Sequence, residues 1–187
     1  GATPSKSNPT FWTGGNIPWV SPKDMKTEIV SDAEDHITKA AVENSATNLI
    51  PENSILDVTR SGILKHTLPI ATTSRMVALN QDLKALQPMG GYDARYLALA
   101  LRAHQQDILQ HCTKTGTKVQ NIEFPVFLRF KIPIPPFPEQ RRIVAEVERR
   151  LSVVEELEAA VSANLQRATR LRQSILQEAF TGKLTNL

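Results

Sequence analysis

After Pro138 the chain contains no further proline, and no glycine until Gly182. Few folds accommodate a run of 43 residues free of both helix breakers. Apolar or small residues recur along it at Ile143, Val147, Leu151, Val154, Leu157, Val161, Leu165, Ala168, Leu171, Ile175 and Ala179. The steps between them are fours and threes that average 3.6, the period of one face of an α-helix. A strict heptad would average 3.5 and impose a left-handed supercoil, so this stripe fits a nearly straight helix. Pro138 suits the first turn, where its missing N–H is not needed, and Glu139 sits where the helix dipole favours an anion. Gly182 and Lys183 supply a stop.

Such a helix extends about 65 Å at 1.5 Å per residue. A globular part of about 130 residues has a radius of gyration of about 14 Å and cannot cover so long a stripe. The apolar edge therefore calls for another long helix, and this chain offers none. Its partner is expected to be a second copy or a different polypeptide. Just upstream, Pro133, Pro135, Pro136 and Pro138 crowd into six positions and read as a semi-rigid elbow. The expected layout is a globular part at 1–132, the elbow at 133–138, the helix at 139–181 and a tail at 182–187.

Up to about residue 130 the pattern is that of a mixed α/β domain with short elements. "NIPWV" (16–20), "SILDV" (54–58) and "RMVAL" (75–79) are brief β-prone runs bounded by turn residues. A helical period marks 93–111, through Tyr96, Leu97, Ala100, Leu101, His104 and Ile108. Ser31 or Asp32 is positioned to cap a shorter helix through Ile37, Ala41 and Val42. The aromatics Trp12, Trp19, Tyr92 and Tyr96 read as core or domain-edge residues. His104 and His111 lack an acidic or cysteine cluster beside them and read as packing residues rather than metal ligands. Cys112 is the sole cysteine, which excludes a disulfide or a cysteine-based zinc site within one chain. No apolar run approaches membrane-spanning length, and the start shows no signal-peptide core. A cytoplasmic protein is expected. The net charge is +3, with 14 Lys/Arg against 12 Asp/Glu through residue 137 and 8 against 7 beyond it. Bulk charge therefore does not decide for or against a nucleic-acid partner.

"PIPPFPEQRRIVAEVE" (133–148) followed by "ILQEAFTGKL" (175–184) strongly resembles the spacer helix of type I restriction–modification specificity subunits. The opening "GATPSKSNPTFWTGGNIPWVSPKDM" (1–25) resembles the start of their target recognition domains. So do "HIT" (36–38), "LIPENSILDVTRSGIL" (49–64), "NQDLKAL" (80–86) and "GTKVQNI" (116–122). The resemblance covers essentially the whole chain, in family order. It implies an α+β recognition domain followed by one long helix that forms an intermolecular antiparallel coiled coil. It further implies a prokaryotic protein that reads one half of a split site on double-stranded DNA and has no catalysis or cofactor of its own. Methyltransferase subunits would dock on the helix and carry S-adenosylmethionine, and a restriction and translocation subunit would complete the assembly. Full-length members carry two recognition domains and two such helices; here there is one of each. The abrupt start and the end at "LTNL" fit a fragment, and a natural half-subunit forming a homodimer through its helix fits equally. A two-fold dimer would read a palindromic split target.

Phosphate contacts call for Lys, Arg, small hydroxyl residues or backbone N–H groups, and base reading calls for side chains that reach groove edges. The candidate DNA-binding residues are Lys6, Ser21, Lys23, Arg60, Lys65, His66, Arg75, Lys114 and Lys118. Arg60, Lys65, His66 and Arg75 form the densest group in sequence. The candidate helix-pairing residues are Ile143, Val147, Leu151, Val154, Leu157, Val161, Leu165, Leu171 and Ile175. Two other readings stay open. The rod could dimerise a module that binds protein rather than DNA. Alternatively, "NIPW" (16–19) resembles the loop by which amino-methyltransferases grip an amine, with Trp19 stacked on the base. That chemistry also needs a glycine-rich cofactor turn, and no such turn accompanies it. A nuclease built on Asp32, Glu34 and Asp35 lacks a matching lysine, and those acids read as a helix start.

Overall fold

Eight short strands and five helices make up the computed structural model, which describes residues 1–114 and 119–181. In chain order they are β1 (Ile17–Val20), β2 (Ile29–Val30), β3 (His36–Ile37), α1 (Lys39–Glu43), β4 (Leu49–Ile50) and β5 (Ile55–Val58). Then follow β6 (Ile70–Thr73), β7 (Val77–Leu79), β8 (Leu83–Leu86), α2 (Ala94–Ala103), α3 (Gln105–Cys112), α4 (Phe124–Phe127) and α5 (Phe137–Phe180). The chain divides into two units that meet between Arg142 and Ile143.

The first unit holds two four-stranded sheets, ordered β3-β1-β7-β4 and β2-β6-β5-β8. Side chains alternate across a strand, and the first sheet uses both faces. Val20, Val77 and Leu79 enter the main core, whereas Trp19 and Ala78 enter a smaller cluster with Ile37 and Ala41. In that cluster Trp12 meets Trp19 edge to face at 5.4 Å. The adjoining turn explains the paired glycines: Gly14 has φ +71°, and a Cβ on Gly15 would lie 2.6 Å from the Ile37 backbone. In the second sheet β5 pairs antiparallel with both β6 and β8, so all four of its residues are buried. That explains the nearly continuous apolar run "SILDV".

Strands expected at 16–20, 54–58 and 75–79 are present as β1, β5 and β7. Two expectations need correcting. The helix expected over 93–111 breaks at His104, which ends α2 and opens α3. The turn there lets α2 pack on β5 and β6 while α3 packs on α4. The helix expected to start from Ser31 or Asp32 does not form there. Ile37 belongs to β3, and α1 is capped by Thr38, whose hydroxyl accepts from Ala41 N–H. Lone pairs on Asp32 are used instead by His36. Among the aromatics, Trp19 and Tyr96 are buried and Tyr92 is exposed. Cys112 is buried, and burial pushes its thiol pKa up, with Glu123 adding to the rise.

The proline-rich segment is held by hydrogen bonds as well as by ring stiffness. Gln140, 1% exposed, accepts from Asp93 N–H and donates to the carbonyls of Gly91 and Pro135. Tyr96 Oη donates to Pro133 O at 2.7 Å. The Pro136 carbonyl receives the N–H groups of Glu139 and Gln140, which starts α5 at Phe137, two residues before the expected helix. The expected stop at Gly182 and Lys183 lies outside the described residues.

In the second unit α5 runs to Phe180 without a break. Its stripe residues Leu151, Val154, Leu157, Val161, Leu165, Leu171 and Ile175 are exposed, and Ile143 and Val147 are half-buried. Glu146 bonds Arg149 and Arg150, which hold its carboxyl down to about 2. Among the described residues no helix is long and apolar enough to cross a membrane.

Candidate nucleic-acid interface

Four segments distant in sequence converge at one edge of the first unit. β5 ends at Val58, and the chain leaves it through Thr59 and Arg60. The Asp82 carbonyl accepts from Thr59 N–H and Thr59 Oγ1, and more weakly from Arg60 N–H. Arg60 pairs as an isolated β-bridge with Asn121, and Ser61 N–H donates to Gln120 O. Lys114 N–H donates to Asn121 O. On the other side, Thr3 Oγ1 bonds Gln81 and Ala2 N–H donates to Leu79 O. The segments 2–8, 59–67, 80–82 and, from the fourth, 113–114 with 119–122 thus form one hydrogen-bonded rim.

The rim presents cations and small polar groups. Arg60 Nε donates to Asp82 Oδ1 at 2.7 Å. Lys65 and His66 are exposed on a short 3-10 turn, Gly62–Lys65. The buried Leu64 anchors that turn in the core, and Thr67 fastens it by donating to Gln105. Lys6 and Lys114 are exposed on neighbouring segments. Lys118 lies outside the described residues.

Other candidates fall elsewhere. Arg75 does not join Arg60, Lys65 and His66, because it follows β6 at the opposite end of the antiparallel β5–β6 pair. Sequence proximity misled here: the hairpin carries residues 60 and 75 apart by the length of its strands. Lys23 bonds Asp35 at 3.0 Å and Glu34 at 3.2 Å, and the hydrogen bond to Asp35 chiefly raises its pKa. Ser21 is buried, and its hydroxyl donates to Asp24, so it serves the local turn rather than an open surface. The acids Asp32, Glu34 and Asp35 likewise serve His36 and Lys23.

Asn80, Asp82, Gln120 and Asn121 belong to the rim and are absent from the sequence-based candidates. A polar "NQD" turn between two apolar strands marks the first pair, but nothing local reveals that residues 120–121 meet Arg60. The amine-gripping reading of "NIPW" does not survive: Trp19 is 5% exposed and its indole N–H donates to Ala2 O, so it cannot stack on a base. No group of three or more His, Cys, Asp or Glu among the described residues could hold a metal ion.

Residues 1–167 match the type I restriction modification DNA specificity domain. The chain is 41% identical over 173 residues to the specificity subunit of the type I restriction enzyme EcoR124I/EcoR124II of Escherichia coli, covering 92% of this chain and 42% of that subunit. It is 26% identical over 146 residues to the MjaIX specificity subunit of Methanocaldococcus jannaschii, covering 76% of this chain and 33% of that one. Its fold resembles a chain of a type I R-M system solved for its assembly and conformational transition, with a TM-score of 0.74 at 20% identity. That likeness covers 98% of this chain and 43% of the other. The HsdS subunit from Thermoanaerobacter tengcongensis gives a TM-score of 0.65 at 22% identity, covering 98% of this chain and 42% of that subunit. The chain spans less than half the length of these relatives.

Proposed function

Because this chain belongs to the family of type I restriction–modification DNA specificity domains, we propose that it is a sequence-recognition module for double-stranded DNA. The first unit reads one half of a split target through the rim around Arg60, Lys65, His66 and Lys114. The long helix pairs with another long helix, supplied by a second copy or by another part of a larger subunit, and so spaces two reading heads. Methyltransferase subunits dock on the paired helices and bring S-adenosylmethionine. A restriction and translocation subunit joins the full assembly, which works in the prokaryotic cytoplasm. This chain itself contributes recognition and no bond-making chemistry.

The observation that carries the reading is the unbroken helix Phe137–Phe180 with its apolar stripe exposed. Exposed apolar surface of that length and periodicity marks a helix that pairs. The rim supports the DNA part, since it gathers cations, small hydroxyl residues and backbone donors from four segments. Lys6, Lys23, Arg75 and Lys118 remain further phosphate contacts in this reading. The test is co-expression with the cognate methyltransferase followed by methylome sequencing. The expected result is a stable complex that modifies a two-part motif. A module that bound protein alone would leave no methylated motif and show no steep salt dependence on duplex DNA.

A further inference from the structure

Resting on that reading, we infer that Asp82 is a positioning residue for Arg60: it aims the guanidinium, so that the head discriminates between sequences instead of merely attracting phosphate. Asp82 sits in the turn between β7 and β8, and its side chain is held from behind. Its N–H donates to Asn80 Oδ1 at 2.9 Å, and its Oδ2 lies 3.4 Å from Asn80 Nδ2. Asn80 is itself buried, and its N–H donates to Val20 O inside the first sheet. The carboxylate therefore has a fixed origin in the core. Its Oδ1 takes Arg60 Nε at 2.7 Å, while its carbonyl fixes the Thr59 and Arg60 backbone. Both ends of Arg60, main chain and guanidinium, are tied to one residue.

The contact uses only Nε. The two Nη groups, which hold four of the five guanidinium donors, are not taken up by it. The Arg60 side chain is 56% exposed and that of Asp82 20% exposed. An ion pair that open to solvent contributes little to folding stability. A carboxylate beside a phosphate-binding cation also weakens general attraction to DNA. A group that costs attraction and adds little stability is accounted for by orientation: a bidentate fork reads a base edge only when its plane is fixed.

The experiment uses the complete methyltransferase complex and the target identified by methylome sequencing of the unaltered complex. Binding to the cognate duplex and to a scrambled duplex is measured across a salt series for wild type, Asp82→Asn, Arg60→Ala and the double variant. Asp82→Asn is expected to weaken cognate binding about tenfold while scrambled binding holds or tightens. In the Arg60→Ala background, Asp82→Asn should change cognate binding no further. Equal losses on both duplexes, or fully additive losses, would overturn the assignment. Arg60→Lys gives an independent check if Asp82→Asn fails to assemble. It keeps the charge but loses the Nε contact and the fork, so cognate affinity should drop and scrambled affinity should not. Retained cognate affinity in Arg60→Lys would also overturn it. A wild-type complex unable to tell the two duplexes apart would instead sink the DNA-reading function itself.

Discussion

Leu56 on β5 and Leu157 on α5 are the same residue type with opposite surroundings: the first is 0% exposed and the second 61%. In the head, apolar residues from both sheets, α2, α3 and α4 close around one another, and the second cluster under Trp19 does the same. Along α5 from Leu151 onward, an apolar residue comes round every three or four positions and stays open to solvent. The head is complete as a folded object. In the proposed function the helix is half of a structure, completed by a second helix of the same period.

The sharpest way to break that contrast is to charge the stripe. Replacing Leu157, Val161 and Leu165 together by Glu should abolish helix pairing, lowering association at least 100-fold by sedimentation. The head's own unfolding should stay unchanged. Three buried Leu or Val side chains contribute about 1.5–3 kcal/mol each, so a small loss would show that the stripe faces solvent in the working protein.

Asp57 sharpens the picture of the head. It lies on β5, 1% exposed, with neither carboxyl oxygen hydrogen-bonded, and burial raises its pKa to about 7 against a pull from Lys84 across the strand pair. The folded state therefore holds a proton that the unfolded state releases near pH 3.8. Stability from this group is full below that pH and is lost as pH rises towards about 7. Between pH 5 and 7 the head should lose about 2 kcal/mol relative to Asp57→Asn, read from urea titrations of both proteins. Parallel pH profiles would show that the carboxyl is satisfied in solution.

Gln140 concerns the start of the helix rather than its stripe. Gln140→Ala removes three hydrogen bonds from a buried site and should cost about 2–3 kcal/mol, seen as a lower midpoint for the head. Helix pairing should persist in that variant. The smallest effect is electrostatic. Arg60→Ala or Lys65→Ala should weaken duplex binding by about 1–2 kcal/mol and reduce the salt slope by about one, whereas Arg75→Ala, at the far end of the hairpin, should do less. Equal effects at Arg60 and Arg75 would mean that the rim is not the contact surface.

The same contrast explains what the sequence disclosed. The helix is local information: spacing along one segment gave its period and its start beside Pro138 to within two residues. Strands β1, β5 and β7 were legible too, since turn residues bound their β-prone runs, whereas β6 and β8 were not expected. Two-residue strands such as β2 and β4 carry no periodic signal, and the break at His104 answers to α4, which lies beyond it in sequence. The rim was half legible. Arg60, Lys65 and Lys114 stand out by chemistry, but their union depends on Asn121 and Asp82, which reach Arg60 only through the fold. Arg75 was misplaced for the same reason, since proximity in sequence is not proximity across a hairpin.

In the proposed function a reading head is joined to a helix that sets its distance from a second head, and lengthening the helix tests both at once. Repeating the seven residues 157–163 in phase with the stripe adds about 10 Å of helix, or about three base pairs. Methylome sequencing of cells carrying the lengthened protein should return the same two half-sites separated by about three more base pairs. An unchanged gap, or new half-site sequences, would contradict the account.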